Sequence, residues 1–133
     1  HNKCDALMDN EMTQIMPIKI IFSILLATSS LVFAKEKPGE KQQNLARDYV
    51  LASCIIHAYP NTPLATEADI WAAGIVEQGG GLRYDDYPAL AALVKQAPAP
   101  LSSQQGVTMR MQNCVEFVRS AHFTSLLRKT LKR

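Results

Sequence analysis

Apolar and polar positions along the chain fall into blocks whose spacing predicts helices. The block Tyr49 to Tyr59, "YVLASCIIHAY", follows Asp48 and carries no acidic, lysine or arginine residue. Leu45, Tyr49, Ala52, Ile56 and Tyr59 recur at helical spacing, and Val50, Leu51 and Ile55 are apolar on other faces. A helix apolar nearly all round belongs at the centre of a bundle. The polar run "KEKPGEKQQN" before it predicts a frayed leader, with helix starting at Leu45. "PNTP" ends the helix.

A second helix is predicted over "EADIWAAGIVEQ". Thr66 is placed to cap it, with Asp69 three residues on, as in a capping box. Ala68, Trp71, Ala72 and Ile75 would form its inner stripe, and Ala72, Ala73 and Gly74 would permit close helix approach. Gly79 to Gly81 stop it. Asp85 or Asp86 can cap a third helix with Pro88 in its first turn and Leu90, Ala91, Leu93 and Val94 on its apolar face. "APAPLSSQQG", residues 97–106, reads as a loop, long for a helix connection. A last helix is predicted from Val107. Met111, Cys114, Val118 and Ala121 make one stripe, extended by Leu126, Leu127 and Leu131. No segment alternates convincingly with period two. The expected fold is all-α: a small bundle of four main helices.

An earlier block has a different pattern. Met16 reads as a start and Lys19 as a short positive region. Ile20 to Leu31 is uncharged and mostly apolar, too short for a comfortable membrane span. Val32 and Ala34, followed by "KEK", suit a signal-peptidase site. Residues 16–34 are therefore expected to be a cleavable signal peptide, residues 1–15 a misassigned upstream extension, and residues 35–133 a single helical domain. That domain carries 12 lysine and arginine residues against 9 acidic ones.

Composition narrows the function. The whole chain has 133 residues and a net charge of +2, with 7% aromatics. It shows no basic stripe interleaved with aromatics, so nucleic acid is not an expected partner. The basic cluster "LLRKTLKR" suits a solvated helix end. After signal cleavage, no membrane association is expected.

Three chemistries compete for the cysteines. Cys54 and His57 would share a helix face, as a thiolate–imidazole pair requires. Their neighbours are apolar, which raises a thiol pKa. A zinc site drawn from Cys54, His57, Cys114 and His122 has the wrong spacing, because Cys114 and His122 lie two helical turns apart. A disulfide fits best. The expected exported domain keeps only Cys54 and Cys114, each on an apolar stripe, one in the first helix and one in the last. Such a bridge closes about 60 residues, worth roughly 4 kcal/mol at most in the chain-entropy model. "GGG" lacks the lysine and hydroxyl residue of a phosphate loop. No catalytic residue, metal site or cofactor is expected.

Two loops remain as candidate partner-binding surfaces. "GGGLRYDDY" reads as a mobile hinge followed by Leu82, Arg83, Tyr84, Asp85 and Tyr87, and tyrosine and arginine are common interface anchors. In "APAPLSSQQG", Pro98 and Pro100 stiffen a segment ending in Ser102, Ser103, Gln104 and Gln105, small enough to enter a partner's cleft.

The order "LASCIIHAY", "ADIWAAGIVEQGG", "YPALAALV", "MQNCVEFVRSAHFTSLL" resembles the type VI secretion amidase immunity protein 4 family across roughly residues 45–131. Its most specific parts fall on Ser53, Cys54, Ile55, Ala58 and Tyr59, and on Cys114, Val115 and Phe117. The resemblance implies a periplasmic, all-helical, homodimeric protein without enzymatic activity. It would block an NlpC-type, papain-like cysteine amidase that cuts peptidoglycan stems, with a protruding loop entering the amidase cleft. Residues 97–106 are the first choice for that loop and 79–87 the second. The main rival is a small periplasmic acid-stress chaperone stapled by one disulfide; 9 acidic against 12 basic residues argues against it.

Overall fold

A computed structural model describes residues 39–132. The expected upstream extension and signal peptide lie outside the described residues.

The first helix, α1, spans Glu40–Ala58, so it begins five residues before Leu45. Lysine and glutamine are good helix formers, and the Gln42 side chain donates to the Gly81 carbonyl at 2.8 Å, anchoring the first turn. The polar segment from Glu40 on is thus helix and not a frayed leader. Leu45, Ala46, Val50, Ala52, Cys54 and Ile55 are buried. As its pattern predicts, α1 is central: each of the other helices among the described residues packs against it.

The second helix, α2, spans Pro63–Gln78. Its cap is Thr62, whose Oγ1 accepts the Ala65 N–H at 3.2 Å. Pro63 follows in the first turn, where its missing N–H costs nothing. Thr66 therefore lies inside the helix, not at its cap. The buried stripe is Ala65, Ala68, Ala72 and Ile75. Trp71 was expected in that stripe but is 41% exposed, because the small alanines set the contact face and turn the indole outward.

After α2, Gly79, Gly80 and Gly81 all take positive φ, at 66°, 54° and 88°. A Cβ at Gly80 would run into the Leu45 side chain. The triple glycine is a packed turn against α1, which corrects its reading as a hinge.

Helix α3 spans Asp86–Ala92 and runs into a 3₁₀ turn, Leu93–Gln96. The Asp86 carboxylate accepts the Arg83 N–H at 2.7 Å, closing the turn before the helix.

The expected last helix is two helices, α4 at Arg110–Arg119 and α5 at Ala121–Leu131. Ser120 divides them with an extended backbone. Its hydroxyl donates to the Phe117 carbonyl at 2.7 Å and accepts the Phe123 N–H at 3.0 Å. A serine that can satisfy both helix ends competes well with helix continuation.

The core joins Val50, Ile75, Leu90, Phe117, Val118, Phe123 and Leu127. The Phe117 and Phe123 rings meet edge to face at 5.3 Å, a geometry aromatic pairs prefer. Arg47 of α1 donates to the Val118 carbonyl at 2.9 Å and lies 6.0 Å from the Phe123 ring centre. Cys54 and Cys114 form a disulfide with Cα atoms 5.7 Å apart, linking α1 to α4. Among the described residues, no helix is long and apolar enough to cross a membrane.

Candidate partner-binding surface

The segment between the 3₁₀ turn and α4 is more ordered than its composition suggests. Ser102 and Thr108 pair as an isolated antiparallel bridge. The Ser103 N–H donates to the Val107 carbonyl at 2.7 Å, and the Met109 N–H donates to the Leu101 carbonyl at 2.8 Å. Ser103 also closes the tip. Its Oγ accepts the Val107 N–H at 3.1 Å, and its carbonyl accepts the Gly106 N–H at 2.9 Å. Gly106 sits at φ 78°, a conformation glycine adopts freely. Residues 101–109 thus form a miniature hairpin.

Its base is tied down as well. The Asn113 side chain of α4 donates to the Pro98 carbonyl at 2.9 Å. The hairpin exposes Ser102, Gln104 and Gln105, while Ser103 is half-buried by its turn-closing bonds. Beside that polar tip stand apolar side chains in water: Leu101 is 78% exposed and Val107 59%. The sequence pattern gives no sign of this exposure and places Val107 at a helix start, whereas α4 begins at Arg110. Three residues on each side are too few for a period-two signal.

The second candidate segment divides. Arg83, Tyr84 and Asp85 are exposed, Tyr84 most of all at 82%. Leu82 and Tyr87 are buried, which removes them from the accessible surface and corrects the expectation that both are exposed. Tyr87 packs edge-on against Tyr49 with ring centres 5.0 Å apart. Its hydroxyl is buried and has no hydrogen-bond partner among the described residues. Burial pushes the phenols of both tyrosines above their ordinary range, Asp69 adding to the effect at Tyr49 and the neighbouring Tyr49 and Asp86 adding at Tyr87.

The cysteine–histidine pair does not form a site. Both sulfurs are consumed by the disulfide, so neither a thiolate nor a thiolate zinc ligand remains at Cys54 or Cys114. His57 is exposed beside the bridge. Among the described residues, no group of three or more histidine, cysteine, aspartate or glutamate side chains could hold a metal ion.

None of the curated proteins compared with the chain matches it. A protein-family profile does, and it spans α1 through most of α5. The chain belongs to the Tai4 family of type VI secretion system (T6SS) amidase immunity proteins, whose profile matches residues 44–127.

Proposed function

We propose that this chain is a periplasmic, non-enzymatic inhibitor that binds an NlpC-type cysteine amidase of a type VI secretion system and occludes its active-site cleft. It would protect the cell from peptidoglycan cleavage by amidase delivered from sister cells. The hairpin 101–109 carries this reading: a loop with a polar tip and solvent-exposed Leu101 and Val107, stiffened by its own hydrogen bonds. A preorganised loop loses little entropy on binding, and exposed apolar side chains gain from burial in a cleft. The family match supports an amidase as the partner.

The export-like pattern of residues 16–34 and the disulfide, which persists in an oxidising compartment, support the periplasm. A homodimer is part of the reading. Ile70, 69% exposed, and Trp71 lie on the outer side of α2 and form the apolar surface such a pairing would cover.

The test is Ser103→Arg combined with Gln104→Arg. The double variant should keep its helical circular dichroism and lose amidase inhibition. Inhibition equal to wild type would show that another surface blocks the enzyme.

A further inference from the structure

A second feature lies at the root of the hairpin. A groove of about 420 Å³ opens between the end of α1, the segment 97–100 and the start of α4. Its apolar lining includes the disulfide and Ala58, with Pro98 in the wall. Three side chains of basic type stand around it: His57, Lys95 and Arg110, all exposed. Among the described residues, no acidic side chain lines it.

Arg110 is held in place before any partner arrives. Its Nη1 donates to the Ala58 carbonyl at 3.2 Å, and its guanidinium lies 6.0 Å from the Tyr59 ring centre. A guanidinium has five N–H donors in a fixed fork, so that bond leaves further donors for a ligand. Asn113, also in the lining, fixes the wall through its bond to Pro98. A lining that combines apolar surface with cationic donors suits a carboxylate on an aliphatic stem. A positive patch without internal counter-charge selects a negative partner and speeds its approach.

The geometry points to this groove as a docking site for an acidic side chain, aspartate or glutamate, of the protein partner. The inference rests on the inhibitor reading, in which that partner is the amidase and the carboxylate stands on the rim of its cleft. The hairpin 101–109 adjoins the groove at both ends, next to Pro100 and Arg110. A partner engaged by the hairpin therefore comes against the groove. The hairpin supplies occlusion, and the groove supplies charge selection among amidases.

The experiment measures the affinity of the full chain for its amidase by calorimetry at two salt concentrations. Lys95→Glu is the main variant; Arg110→Gln is the second, with thermal unfolding as the control on folding. Lys95→Glu should weaken binding about tenfold or more, the scale of one lost charge pair. It should also flatten the salt dependence at an unchanged unfolding temperature. A single acidic-to-lysine change on the amidase rim should restore the affinity.

Unchanged affinity in both variants overturns the groove site, while loss of inhibition in Ser103→Arg with Gln104→Arg would still uphold the hairpin. If wild type binds no cysteine amidase, the inhibitor reading fails and the groove inference falls with it. If Lys95→Glu alters only self-association, the groove faces a second copy of this chain and the inference is overturned.

Discussion

The Asn113 side-chain amide donates to the Pro98 carbonyl at 2.9 Å, fastening the root of the hairpin to α4. A side-chain hydrogen bond of this kind contributes about 0.5–1.5 kcal/mol. Asn113→Ala should therefore loosen the hairpin without unfolding the bundle. Amide exchange at Ser103 and Met109, whose N–H groups close the hairpin, should speed up roughly several-fold. Unchanged exchange would show that the hairpin holds itself.

The disulfide spans 60 residues of sequence and joins the central helix to α4. Replacing both Cys54 and Cys114 by alanine should cost roughly 2–5 kcal/mol, the usual loss for a native bridge in a small domain. Denaturant unfolding measures this directly. A midpoint equal to wild type would assign the stability of the bundle to its core alone.

Tyr87 buries a hydroxyl with no partner among the described residues, and an unsatisfied buried polar group costs about 1–3 kcal/mol. Tyr87→Phe keeps the ring contact with Tyr49 and removes that cost. The variant should be more stable by roughly 1 kcal/mol. A loss of stability on thermal unfolding would mean that the hydroxyl is satisfied in solution.

Burial raises the Asp48 carboxyl above its ordinary value of 3.8, with Arg47 opposing the shift. A carboxyl whose folded pKa is raised favours folding while protonated, and that contribution is lost as pH rises through the folded value. Asp48→Asn mimics the protonated form. It should gain stability relative to wild type between pH 3 and pH 7, as read from urea midpoints. A relative loss over that interval would reverse the sign assigned to this residue.

The parts of the fold legible in the sequence are those fixed by local pattern. The uncharged run Tyr49–Tyr59 marks the central helix, "PNTP" and "GGG" mark helix ends, and the stripe positions of Cys54 and Cys114 mark the bridge. Competition between local signals hid other features. Thr62 and Thr66 both resemble caps, and Pro63 decides between them. Ser120 sits within an apolar pattern that continues past it, yet its hydroxyl serves both helix ends. Trp71 shares helical spacing with the alanines of α2, and only packing shows which residues face inward. The candidate site was half legible. Ser102, Gln104 and Gln105 are exposed as expected. The exposure of Leu101 and Val107 follows from a hairpin too short to leave a periodic signal.

Inhibition by occlusion is read out by a titration of peptidoglycan hydrolysis. Purified cysteine amidase would be held at a fixed concentration far above the dissociation constant while this chain is added. Hydrolysis should fall linearly to zero at about one chain per amidase, since a stoichiometric blocker of tight affinity titrates its target. Undiminished hydrolysis in the presence of excess folded, disulfide-bonded chain would contradict inhibition by occlusion.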